Sequence, residues 1–301
     1  MILPNTVIIG AEKSASTYVQ DCLSDHPEVF MVENEIPYFE DPEFFETSFE
    51  DFSELFSDVS NEKVIGIKRP SYFSKKECPE RIANLIPEAK IIVILRNPVE
   101  RLLSSYFHNI KYGFFPVVHP EKGLRELIAG KYTEEWPRSN EVIDFSYYHK
   151  PLCTYIEKFR KNILILFHHN FLIDSREQMK IVYQFLDIDD KFVSRADNTR
   201  PQSVVYSLPR LRFLTLKNKH MFDYFYNNTR LSVKTMGCYS RYFCRLIDAI
   251  DTKILIRMFG DNRKPKLSED LEEILYGMFS SDVKNLMSLL NVDLRQWEYP
   301  N

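Results

Sequence analysis

TVIIGAEKSASTYVQ, residues Thr6 to Gln20, runs from four apolar or β-branched residues into a glycine, a lysine and a cluster of small residues. Three of that cluster, Ser14, Ser16 and Thr17, are hydroxylic, and helical spacing follows. The order predicts a strand, a tight turn and a helix N-terminus. Such a junction favours anions, because the first N–H groups of a helix lack partners inside it and the helix dipole adds positive charge. The stretch departs from the nucleotide loop G-x-x-x-x-G-K-[ST]. No second glycine precedes Lys13.

Three further apolar runs follow: VIGI (64–67), IIVIL (91–95) and ILILF (163–167). They are continuous rather than alternating, as in strands buried on both faces of a parallel sheet. Helical stripes separate them. Val99, Leu102, Leu103, Tyr106, Phe107 and Ile110 share one face over 98–112, with Pro98 near the start. Tyr148, Leu152, Tyr155, Ile156 and Phe159 do so over 147–161, and Met179, Val182, Phe185 and Leu186 over 175–186. Strands alternating with helices predict an α/β fold, with right-handed crossovers joining a P-loop-like central parallel sheet flanked by helices. From about residue 200 the chain turns basic, aromatic and helical, with helical spacing over 208–225 and a terminal helix pair around 268–290. The Phe and Tyr residues between 206 and 243 read as helix packing. No Gly-, Ser- or Pro-rich break intervenes, so 1–301 is expected to form a single domain with a helical C-terminal portion.

Composition narrows the function. Apolar residues at 44% and charged residues at 27%, with only 8 Gly, describe a globular protein rather than a disordered one. The net charge of −4 lacks the basic surplus of nucleic-acid binders and suits a small neutral or cationic substrate. The five cysteines are scattered without a C-x-x-C pair, which argues for reduced thiols rather than zinc or disulfides. No apolar run reaches membrane-spanning length and no signal-peptide pattern precedes the first strand. The expectation is a cytoplasmic protein with no membrane, nucleic-acid or metal partner.

Ligands of doubly wound sheets sit beyond the C-terminal ends of the strands. IGIKRPSYF places Lys68 at such an end, and ILRNPVERLLSSYFHN does the same for Arg96, with Arg101 and Ser104 on the next helix. An arginine fork suits phosphate, and a nearby hydroxyl adds a donor. Lys13, Lys68 and Arg96, with Ser14, Ser16, Thr17 and Ser104, would fit a ligand bearing two anionic groups. The segment HPEVFMVENEIPYFED carries Glu33, Glu35 and Glu40, a carboxylate cluster from which a general base could come. The seven histidines, among them His26, His149, His168 and His169, read as structural or solvated.

These motifs resemble the sulfotransferases that use 3′-phosphoadenosine 5′-phosphosulfate (PAPS), with the nearest pattern in the heparan sulfate glucosaminyl sulfotransferases and their bacterial relatives. GAEKSAST followed by DHPEV is similar to the family's G-x-x-K-[ST]-[GA]-[ST]-[ST] strand–helix start. ENEIPYF, KRPSYF and ILRNPVERLLSSY match the next three motifs in order, and KPKL (264–267) and DLRQW (293–297) match the end. The resemblance implies that Lys13, Ser14, Ala15, Ser16 and Thr17 hold the 5′-phosphosulfate, and that Arg96 and Ser104 hold the 3′-phosphate. It further implies that Lys68 lies by the transferring sulfuryl group, that Glu35 is the base, and that Arg263 and Lys264 belong to a loop over the nucleotide. PAP, adenosine 3′,5′-bisphosphate, would be the product, with no metal required. Many 3-O-sulfotransferases read E-x-H-F-F-D, where this chain has Pro37 and Glu40 in place of His and Asp. That departure touches the acceptor rather than the transfer. A small metabolite acceptor is expected, with an oligosaccharide as the alternative. A nucleotide kinase with a variant loop and a non-catalytic nucleotide-binding module are the rival classes.

Overall fold

The computed structural model describes residues 2–198, 204–259 and 264–297. They fall into two compact units, one drawn from Met1–Arg101, Tyr147–Pro201 and Asp282–Trp297, the other from Leu102–Ser146 and Gln202–Ser281.

The first unit is built on a five-stranded parallel sheet: β1 (Thr6–Gly10), β2 (Val29–Glu35), β3 (Val64–Lys68), β4 (Lys90–Leu95) and β5 (Ile163–Phe167). The spatial order is β2-β3-β1-β4-β5. The four apolar runs became β1, β3, β4 and β5. β2 is an addition to that reading: VFMVENE is an edge strand whose last three residues are exposed. Such a strand is polar where it leaves the core and lacks a continuous apolar signature. The chain leaves β1 toward β2 and β3 on one side, while β4 and β5 lie on the other. The loops following β1 and β4 therefore part at the switch point where α/β ligands bind. Ile8, Val19, Leu23, Ile92, Ile94, Leu166, Met179 and Val182 belong to one buried apolar cluster.

The helices Ser16–Ser24, Pro98–Lys111, His149–Phe159 and Ser175–Leu186 lie where the apolar stripes predict. The last is bounded by local chemistry at both ends. Asp174 accepts from the Glu177 N–H at 3.0 Å, and Asp187 stops the helix in the left-handed region at φ 62°.

The second unit corrects two readings. The stretch 208–225 is not helical throughout: after Leu208–Leu214 and Asn218–Met221 it turns into β6 (Phe222–Phe225), which pairs antiparallel with β7 (Arg230–Val233). Tyr226, Asn227 and Asn228 make the turn at φ 49°, 54° and 60°, a conformation asparagine tolerates well. A helix, Cys238–Ile250, follows. Arg210 and Asp251 form a buried bidentate pair at 2.8 and 2.8 Å. The stretch around 268–290 is one helix, Glu269–Leu290, rather than a pair. Gly277 sits mid-helix over open space, so nothing there requires a break.

Candidate anion-binding and transfer site

The loop after β1 begins at Gly10, whose φ is 144° and where a Cβ would come within 2.4 Å of the Pro70 carbonyl oxygen. Only glycine fits there. The Ala11 N–H donates to the Ile94 carbonyl at 2.9 Å, tying the loop to β4. Lys13 and Ala15 both take left-handed conformations, φ 65° and 75°, which bend the chain into the helix that starts at Ser16. Ala15, at the N-cap, supplies no side-chain cap, so the first N–H groups of the helix keep their capacity to donate. Ser14 is fully buried, and its hydroxyl has no hydrogen-bond partner among the described residues.

Arg96, at the end of β4, donates through Nη1 to the Lys13 carbonyl at 3.1 Å and through Nε to Glu100 Oε2 at 3.2 Å. The buried Arg101 reaches Glu12 Oε2 at 3.6 Å, pinning the same loop from the following helix. Two titratable neighbours of Arg96 are neutral near pH 7. Burial pushes the Tyr148 phenol up to about 12 against the pull of Arg101 and Arg96. Burial first, then Arg96, lowers His168 to about 4. Neither side chain offsets the guanidinium charge.

On the other side of β1, sheet register sets Glu35 of β2 opposite Lys68 of β3, and the Ile36 N–H donates to the Lys68 carbonyl at 3.2 Å. Lys68, 4% exposed, donates from Nζ to Thr17 Oγ1 at 3.1 Å and lies 3.4 Å from Glu35 Oε1. The geometry therefore links Glu35 to Lys68, Lys68 to Thr17 in the first turn of the Ser16–Ser24 helix, and the loop leading into that helix through the Lys13 carbonyl to Arg96. Ser16 is buried at the helix start. Ser104, in the second unit, is buried on the Pro98–Lys111 helix, and Lys264 is exposed just before Glu269–Leu290. Arg263 lies outside the described residues.

Sequence reasoning passed over Arg69 and Ser71, and left Tyr72 between bordering the pocket and packing in the core. Arg69 forks onto the fully buried Glu40, Nε to Oε1 at 2.7 Å and Nη2 to Oε2 at 3.0 Å, and its Nη1 donates to Glu35 Oε2 at 3.2 Å. The Ser71 hydroxyl donates to the same Glu40 oxygen. The buried Tyr72 hydroxyl accepts from the Phe39 N–H at 3.3 Å and donates to the Ile36 carbonyl. The pair K-R at 68–69 and the carboxylates Glu35 and Glu40 stand in the sequence, but nothing there reveals that one lysine and one arginine share a carboxylate.

Among the described residues no cluster of three or more His, Cys, Asp or Glu is placed to hold a metal ion. No helix among them is long and apolar enough to cross a membrane. His26, buried, lies 3.1 Å from the Asp189 carbonyl through Nε2 and packs on Tyr183 and Phe192.

A family model described as the sulfotransferase domain matches residues 3–238. The chain is 30% identical to the membrane-associated sulfotransferase kil1 of Dictyostelium discoideum over 162 residues, 47% of this chain and 34% of that one. It is 33% identical to human heparan sulfate glucosamine 3-O-sulfotransferase 6 over 153 residues, 45% of this chain and 43% of that one. With the human bifunctional heparan sulfate N-deacetylase/N-sulfotransferase 3 it shares 27% identity over 202 residues, 56% of this chain and 23% of that one. The chain thus matches less than half the length of each of these relatives. A crystal structure of a sulfotransferase from Alicyclobacillus acidocaldarius has the same fold, at TM-score 0.69 and 17% identity, over 99% of this chain and 100% of that one.

Proposed function

The chain belongs to the sulfotransferase family, and from that premise we propose that it transfers a sulfuryl group from PAPS to a hydroxyl or amine acceptor, acting as one catalytic domain over 1–301. The observation that carries the reading is Glu35 held by strand register beside Lys68, which in turn reaches Thr17 in the first turn of the helix after the proposed anion-binding loop. The donor set fits the cosubstrate. Helix-end N–H groups, the unpartnered Ser14 hydroxyl and Lys13 suit a phosphosulfate, and Arg96 suits a 3′-phosphate, to which Ser104 is assigned on the motif match alone. Bound there, PAPS would supply the sulfuryl group and leave as PAP. Lys264 and Arg263 are assigned to the nucleotide on the motif match alone.

Glu35 removes the acceptor's proton as the acceptor atom bonds to sulfur and the bond from sulfur to the phosphate oxygen breaks. Lys13, Lys68 and the loop N–H groups are aimed at the charge that grows on the sulfuryl oxygens and the departing bridge. Fixed donors of this kind supply the largest share of many enzymes' rate enhancement, about a hundredfold or more for one group. With those cations in place, the transfer needs no metal.

The acceptor we assign first is a small hydroxylated or cationic metabolite, which goes with a cytoplasmic enzyme. An oligosaccharide is the second reading, favoured by relatives whose names specify heparan sulfate. Calorimetry with PAP and sulfate transfer from radiolabelled PAPS test the proposal. Lys13→Ala is expected to lose PAP binding and transfer together. Glu35→Gln is expected to keep PAP affinity within about twofold while transfer falls about a hundredfold or more. Equal loss of nucleotide affinity in both variants would refute the roles, and no heat of PAP binding to the unaltered protein would refute the cosubstrate. Sulfate transfer is expected to proceed in EDTA, and magnesium-dependent phosphate transfer with no sulfate transfer would favour the kinase-like alternative.

A further inference from the structure

We propose that Arg69 is a positioning residue for the transfer reaction: clamped on the buried Glu40, it holds the Glu35 carboxylate fixed while Lys68 turns to the sulfuryl group. This rests on Glu35 being the base, as proposed above.

Glu35 has two cationic neighbours of different character. Lys68 ends in a rotatable ammonium that already divides its donors between Thr17 at 3.1 Å and Glu35 at 3.4 Å. A lysine that serves the transferring group cannot also be the fixed support of the base. Arg69 has a planar fork, and two of its three nitrogens are spent on Glu40 at 2.7 and 3.0 Å. Glu40 is fully buried, and Ser71 donates to the same oxygen that receives Arg69 Nε. That anchorage locks the guanidinium plane, so the third nitrogen, Nη1, meets Glu35 Oε2 at 3.2 Å from a preset direction. Oε1, on the Lys68 side, is left as the oxygen that takes the acceptor's proton. The four side chains carry two positive and two negative charges in alternation, Glu40, Arg69, Glu35, Lys68. Arg69 thereby also balances the charge of a carboxylate taken wholly out of water. A purely structural Arg69–Glu40 pair would need no third contact to Glu35.

The experiment is a double-mutant cycle with Arg69→Lys and Glu35→Gln. Its rate readout is PAP release from PAPS with water as acceptor, and its binding readout is PAP affinity by calorimetry. Arg69→Lys keeps a charge beside Glu40 but cannot fork onto it and reach Glu35 as well. Expected results are a rate lowered about tenfold or more, PAP affinity within about twofold of the unaltered protein, and less than about a threefold further loss when Arg69→Lys is added to Glu35→Gln. A crystal structure of Arg69→Lys should show the Glu35 carboxylate moved away from residue 69. If Arg69→Lys does not fold, the paired change Arg69→Gln with Glu40→Gln leaves no unbalanced buried charge and is expected to give the same kinetic pattern. An unchanged rate, or fully additive losses on top of the residual rate of Glu35→Gln, overturns the role of Arg69 alone. Full activity in Glu35→Gln overturns the base assignment, and this inference with it.

Discussion

Gly10 shows how one position constrains the binding loop. Its φ of 144° and the Pro70 carbonyl together exclude any side chain, so Gly10→Ala combines backbone strain with an overpacked contact. The expected cost is about 2–4 kcal/mol in urea unfolding, with PAP affinity falling as the loop is displaced. His168 gives a pH prediction. The folded imidazole takes its proton only near 4, against an ordinary value of 6.5, because burial and Arg96 disfavour the cation. Between those values the unfolded chain binds more protons than the folded one. The contribution of His168 to stability is therefore complete above about pH 6.5 and lost as the pH falls toward 4, by about 1–3 kcal/mol. His168→Gln should flatten that limb when urea midpoints are compared at pH 7 and pH 5, and an unchanged slope would contradict the assignment.

Among the secondary-structure elements, legibility followed burial. β1, β3, β4 and β5 are apolar on both faces and could be read directly from VIIG, VIGI, IIVIL and ILILF. β2 pairs on one side only, and its ENE end meets solvent, so the segment that carries the proposed base read as a carboxylate cluster without a strand beneath it. The β6–β7 hairpin was hidden by aromatics that suit either a helix face or a strand, although the Asn227–Asn228 pair was an available turn signal. Lys68 and Arg96 could be singled out at legible strand ends and Lys13 in the loop after one, whereas Glu35 was picked from its carboxylate cluster and motif alone. The link from Arg69 to Glu40 spans 29 residues and two elements, so no local pattern could show it. Tyr72 joins those elements, and its hydroxyl serves both the Phe39 N–H and the Ile36 carbonyl. Tyr72→Phe should cost about 1–3 kcal/mol through two buried groups left without partners, and should lower transfer more than PAP affinity. A thermal melt and a transfer assay on the same preparation separate the two effects.

At the level of the complete chain, net charge and local charge point in opposite directions. The protein carries −4, yet Lys13, Lys68 and Arg96 meet around one loop. Attraction of a polyanionic nucleotide to that cluster is screened by salt, so PAP affinity should fall several-fold between about 50 and about 500 mM NaCl. Calorimetry across that range checks it, and a flat response would mean that contacts other than charge dominate. In the second unit, Asp251→Ala would leave Arg210 buried without its bidentate partner, and a loss of about 3–5 kcal/mol is expected in denaturant titration.

The register that sets Glu35 against Lys68 also separates two kinds of change open to the protein. Both side chains are fixed by neighbouring backbone rungs, whereas the turn from Pro37 onward is attached to them from outside. Exchanging Pro37 within that turn, with Glu40 kept as the anchor of Arg69, is therefore expected to redirect the proposed transfer to a new recipient without rebuilding the proposed base and its cations.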